Sequence, residues 1–205
     1  MKFHYLVLIA VTAVLLSRFV PMGFFEGVIF DFAVLVTLPI IFLLILKVNL
    51  KDVLLGFGNL KPGLKYSVLI FAVALPVMAY GSTLSDFSQY YPIWKPASDS
   101  TWNFILYESA IAIRMLATEF FYRGFLMWTL MEKMDERYAN LIHSFVYMLM
   151  HIGKPPLEVP YSFIGGYVFA WVDLRSKSIL PSFLIHFLGS LVFDLMIINQ
   201  VFICL

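Results

Sequence analysis

Three acid–base side chains sit in stretches that are otherwise nearly all apolar. Glu119 lies in Ala117-Thr-Glu-Phe-Phe-Tyr-Arg123. His151 ends Phe145-Val-Tyr-Met-Leu-Met-His151. His186 lies inside Phe183-Leu-Ile-His-Phe-Leu188. A carboxylate and two imidazoles are the groups that accept and return protons near neutral pH. Together they can hold and activate a water, and the same three could bind zinc with water as fourth ligand. Nothing in the sequence decides between a metal and a metal-free site, and a His-Glu-x-x-His helix is missing. Ionisable groups inside a bilayer are expensive, so each needs a partner or a task. Each also has a plainer reading. Glu119 and Arg123 stand i,i+4 with Glu first, the favourable order for a helix clamp. His151 precedes Ile-Gly-Lys-Pro-Pro and could simply cap a helix end. His143 reads as structural. The coincidence of all three on separate segments is the stronger signal.

The elements that must position them are membrane helices. Of 205 residues, 61% are hydrophobic and 13% are charged. A soluble domain runs near a quarter charged, and one of this length could not hide so much apolar surface. The expected fold is all-α, a polytopic transmembrane bundle of about seven spans forming one membrane domain over 1–205. The spans are read near 3–22, 27–47, 65–84, 102–131, 138–152, 160–174 and 178–203. Proline and glycine separate them, notably Pro21, Pro62, Pro92, Pro96, Pro155, Pro156 and Pro160. Loop 85–101 is rich in Tyr, Trp and Pro and reads as lying at headgroup level. The first segment lacks a small-x-small cleavage site and is read as a retained span. With the N-terminus inside, Lys2, Lys47, Lys51, Lys61, Lys65, Lys133, Arg137, Arg175 and Lys177 fall on the inner side. Arg18, Lys95 and Lys154 fall outside. The N-terminus is therefore expected in the cytoplasm of a multi-pass protein, and the C-terminus outside. The net charge of +1 gives no reason to expect nucleic acid. Cys204, the lone cysteine, excludes a disulfide framework and is misplaced for prenylation.

Depth adds to the coincidence. At 1.5 Å per residue, Glu119, His151 and His186 lie roughly 18, 20 and 12 Å from the inner ends of their segments. They could meet within the hydrocarbon core. Segments one to three carry only Asp31 as an acid, whereas the fourth also carries Glu108 and Arg114, and the seventh Asp194.

These residues resemble a known family. Thr118-Glu-Phe-Phe-Tyr-Arg-Gly-Phe-Leu126 is similar to the Glu-Glu-x-x-x-Arg signature of the type II CAAX prenyl protease and bacteriocin-processing family (CPBP or ABI). Tyr147-Met-Leu-Met-His151 resembles its Phe-x-x-x-His signature, and His186-Phe-Leu-Gly-Ser190 its His-x-x-x-Asn/Asp signature. The resemblance spans about 102–195. It implies an α-helical membrane bundle that hydrolyses peptide bonds within the membrane, in the plasma membrane of a prokaryote. The substrate would be a membrane-embedded or lipidated peptide or protein. The resemblance also implies roles. The first motif Glu and the motif-two His, here His151, would activate water, His186 and Ser190 would stabilise an oxyanion, and Arg123 would orient the acid, with Glu119 the motif acid that is present. Zinc has been argued for and against in the family. Two departures stand out. Thr118 occupies the first Glu position, and Ser190 the Asn position. Thr cannot act as a base, so Glu119, Glu158 or Asp194 must supply the carboxylate. Ser can still donate one hydrogen bond to an oxyanion. The alternative is a catalytically inactive relative that binds a membrane partner as an immunity or regulatory protein. A small transporter is a third reading, disfavoured by the lack of an inverted repeat.

Overall fold

A computed structural model describes residues 2–203, so Cys204 lies outside the described residues. Eight helices and no strand occur among them. They are α1 Lys2–Phe19, α2 Phe24–Ile45, α3 Leu60–Ser82, α4 Ser85–Tyr90, α5 101–131, α6 Glu136–Leu149, α7 Glu158–Ser176 and α8 Leu180–Ile203. One 3₁₀ turn, Lys95–Ser98, sits in the loop before α5.

Three helices are long and apolar enough to cross a membrane: Phe24–Ile45, Leu60–Ser82 and Leu180–Asn199. Phe3–Phe19 is apolar but shorter. The expectation of about seven spans rested on apolar runs alone. Two structural reasons separate the rest. Helix α5 carries Glu108, Arg114, Glu119 and Arg123, which find partners within α5 and on neighbouring helices rather than in lipid. Helix α6 has 14 residues, about 21 Å of helix, too short to cross unaided.

The helix with most charge takes the interior. Phe120, Phe121, Tyr122, Arg123, Gly124, Phe125, Leu126 and Met127 of α5 are all buried. By contrast, only 11% of the apolar window of α3 is buried. Its Val68, Val73 and Val77 face outward, as a lipid-facing helix requires. Helix α8 lies against α3, α5 and α7, while α6 packs on α7 and α2 on α5. Local signals set several ends. Ser100 caps α5 by accepting from Asn103 N at 3.1 Å, and Asp135 caps α6 by accepting from Arg137 N at 2.9 Å. Lys177 ends α7 in the left-handed region, φ 54°.

The 46–59 loop reaches into the bundle. Val53 is fully buried, and its carbonyl oxygen approaches Gly124 so closely that a β-carbon there would lie 2.6 Å away. Leu54 O accepts from Ile179 N at 3.3 Å, tying the loop to the start of α8. A second tie joins the first two helices to α5. Asp31 of α2 accepts from Ser17 Oγ at 2.6 Å and from Arg114 Nε at 2.8 Å.

Candidate functional site

Helix α5 changes pitch at the site. Phe120–Leu126 is a π-helical segment that begins directly after Glu119. Such segments widen one turn and occur often at functional sites. Here Glu119 and Arg123 both face inward, and both are 0% exposed. Their Oε2 and Nε atoms are 3.1 Å apart. The other oxygen, Oε1, meets His186 Nδ1 of α8 at 2.6 Å. One acid thus touches a cation on its own helix and an imidazole on the next. The guanidinium is sandwiched, with its Cζ 4.1 Å from the centre of the Tyr147 ring and 5.6 Å from that of Phe169. In a dry interior that contact is worth more than at a surface. The imidazole is less enclosed, with 24% of the His186 side chain exposed against none of Glu119.

His151 stands on the far side of Tyr147. It follows α6, whose brevity leaves it inside the bundle rather than at the surface; it is 8% exposed. The Tyr147 ring lies 4.6 Å from the His151 ring and 6.5 Å from the His186 ring. His151 Nδ1 lies 2.9 Å from the Tyr147 carbonyl oxygen. A carbonyl only accepts, so Nδ1 carries the proton there and Nε2 offers a lone pair when the ring is neutral. That Nε2 lies 3.8 Å from Glu158 Oε1, the first residue of α7. Two acceptors at that separation suit a water that donates to both.

Glu158 is gripped from two sides. Lys154 Nζ donates to Oε1 at 2.8 Å, and Tyr91 OH donates to Oε2 at 2.7 Å. Burial first, then the Glu158 carboxylate, pushes the Tyr91 phenol well above its usual range, so it remains a donor. The loop expected at headgroup level thus folds over the site and contributes a residue to it. Arg18 of α1 holds the same region, donating from Nη2 to Ile152 O at 2.8 Å.

The other expected residues fall into two groups. Thr118 Oγ1 donates to Arg114 O at 2.9 Å, a bond within its own helix. It does not replace a carboxylate. Asp194 lies about two turns beyond His186 on α8 and joins a different set. Tyr107 OH donates to its Oδ2 at 3.3 Å, and Glu108 and Ser190 face it as well. Ser190 is thereby drawn toward Asp194. The zinc option can be judged on donors. Among the described residues no three His, Cys, Asp or Glu side chains are grouped to hold a metal ion. Both Glu119 oxygens face His186 and Arg123, while His151 turns toward Glu158. The set Glu119, His151, His186 does not form a three-ligand cage, and no step below passes through a metal.

Sequence reasoning missed Tyr91 and Lys154, and it flagged Glu108 without finding its partner. Lys154 and Glu158 are spaced i,i+4, a signal hidden by the two prolines between them. Tyr91 carries no local signal at all, because only tertiary folding brings it to Glu158.

The comparisons bear on the motif-carrying stretch. Residues 100–192 match the family model described as type II CAAX prenyl endopeptidase Rce1-like. No curated protein and no solved structure matches the chain. The matched stretch is similar to that family, and among the described residues it accompanies helices long and apolar enough to cross a membrane.

Proposed function

We propose, with the Rce1-like stretch as premise, that this protein is an intramembrane endopeptidase acting on a membrane-associated or lipidated peptide. It would be multi-pass, with a cytoplasmic N-terminus, in the plasma membrane of a prokaryote. The observation that carries the reading is the pair of imidazoles held in complementary states on either side of Tyr147. His151 has its Nδ1 fixed on a carbonyl, which frees Nε2 as a base. His186 has its Nδ1 2.6 Å from a buried carboxylate, which leaves Nε2 as the ring nitrogen free to meet a substrate.

A water donates to His151 Nε2 and to Glu158. His151 takes its proton as the oxygen attacks the scissile carbonyl carbon. His186, as imidazolium, donates from Nε2 to the developing oxyanion and from Nδ1 to Glu119. Preformed donors at a developing charge are commonly the largest single catalytic contribution. The proton held by His151 then passes to the leaving amine as the C–N bond breaks. Glu119 acts in this scheme by holding His186, and Arg123 by holding Glu119. This moves the base from Glu119 to His151, because both Glu119 oxygens are already engaged. Glu158 then supplies the carboxylate that Thr118 cannot.

The test uses the full chain in detergent with fluorogenic membrane-anchored and prenylated peptides. His151→Asn and His186→Asn are each expected to lower kcat by at least about 10²-fold. Unchanged cleavage in His151→Asn overturns the mechanism. A second reading has one observation in its favour: the Thr118 hydroxyl is spent on its own helix. On that reading the protein is an inactive relative that binds a lipidated or membrane partner as an immunity or regulatory factor. Retained peptide binding with no cleavage of any peptide would favour it.

A further inference from the structure

Between α3 and α7 lies an apolar groove of about 320 Å³. It is lined by Tyr66, Leu69, Ile70, Tyr167, Val168 and Trp171. The groove opens on the side where α3 is bare. Beyond it the apolar track continues, with Val73 73% exposed on α3 and Ile164 60% exposed on α7. No described segment of this chain covers that track.

One end of the groove is strongly cationic. Asn59 N donates to Ser176 O at 2.6 Å, which sets the start of α3 beside the end of α7. Lys61 and Lys65 therefore share that end with Arg175 and Lys177, and all four are exposed. The Arg175 guanidinium sits 3.9 Å over the Trp171 ring. The Trp171 and Tyr66 rings meet edge to face at 4.9 Å. Amphipathic rings of this kind settle at the headgroup boundary. On α7 itself, Asp173 is fully buried and accepts from Ser182 N at 3.1 Å, so it does not offset the cations at the surface. An apolar slot, an aromatic collar and a cationic mouth follow one another along the same helix pair.

We propose that this groove is a binding site for an anionic phospholipid. One acyl chain lies in the slot between α3 and α7. The phosphate sits among Lys61, Lys65 and Arg175 beside Trp171. Charge complementarity selects the occupant: a zwitterionic headgroup brings its own cation to a mouth that already holds four. Basic pockets between membrane helices bind acidic headgroups in this way. The site is independent of the hydrolytic centre and does not rest on catalysis.

The full chain in detergent micelles tests it with brominated phosphatidylglycerol and brominated phosphatidylcholine as quenchers of tryptophan fluorescence. The chain has four tryptophans, so the Trp171→Phe variant identifies the component that matters. The Trp171 component is expected to be quenched by the glycerol lipid at a concentration roughly tenfold lower than by the choline lipid. Lys65→Gln with Arg175→Gln is expected to erase that preference. Lys133→Gln with Arg137→Gln changes cations elsewhere in the chain and is expected to leave it. Equal quenching by the two lipids overturns the proposal. So does a preference that survives the first pair of changes or is lost equally with the second. Stoichiometric displacement of the glycerol lipid by a prenylated peptide would also overturn it, because the slot would then be a substrate site.

Discussion

Glu119 and Glu108 lie on nearly the same face of α5, about three turns apart, and both look toward α8. Their surroundings differ in kind. Glu119 meets Arg123 at 3.1 Å and His186 at 2.6 Å. Glu108 meets Asp194, a second acid, which the Tyr107 phenol, Ser190 and the Lys95 cation also face. Neither Glu108 oxygen nor Glu119 Oε2 has a hydrogen bond of good geometry, so what separates the two acids is the sign of the nearest charge. Two rungs therefore join the same pair of helices, one by opposite charge and one by like groups. A buried charge deprived of its partner is costly, whereas removing one of two like acids relieves repulsion. The first rung is a clamp that also holds an imidazole in place. The second is a polar spacer whose loss the helices can absorb.

The sharpest break in this contrast is Arg123→Ala, which leaves Glu119 buried beside only His186. A loss of about 3–5 kcal/mol is expected. Thermal unfolding in detergent would read it, and an unchanged midpoint would place the two rungs in one class. Next comes Gly124→Ala. The new β-carbon would lie 2.6 Å from the Val53 carbonyl, so the loop must retreat. A cost of about 1–3 kcal/mol is expected, as for other overpacked interiors. Limited proteolysis within 46–59 should rise with it. Tyr91→Phe removes one donor from Glu158 and keeps the ring. About 1 kcal/mol is expected, read as a smaller kcat for peptide cleavage with KM little changed. The smallest effect belongs to Glu108→Gln. The folded protein should shift by no more than about 0.5 kcal/mol, or gain stability. A loss as large as that of Arg123→Ala would abolish the distinction between the rungs.

Residue types revealed the first rung and not the second. Glu119, Arg123 and His186 stood out because buried charge in a run of Phe and Leu has few explanations. Their spacing matched a family signature as well. Glu108 stood out in the same way, yet nothing in the sequence paired it with Asp194 rather than with Arg114. That choice depends on which face α8 turns to α5. Helix α6 was legible as short, and His151 at its end as unusual. The partner of His151 was not. Glu158 was one of three acids considered, and the loop residue that grips it was invisible, because Tyr91 and Glu158 are 67 positions apart. Span number was the least legible part of the fold for a simple reason. Apolar composition marks a helix for burial, and burial in this protein is divided between lipid and other helices.

The Asp31 contacts have a consequence for how the chain enters the bilayer. Asp31 and Arg114 are separated by 83 residues, whereas Ser17 is only 14 residues before Asp31. At typical rates of synthesis, Arg114 emerges roughly 4–17 s after Asp31. During that interval the acid is already in the second hydrophobic segment without its cation. The Ser17 hydroxyl is the one partner that has left the ribosome before it. The α1–α2 hairpin is therefore a holding state, and Ser17→Ala should slow membrane integration of a chain truncated before Arg114 more than it destabilises the finished protein.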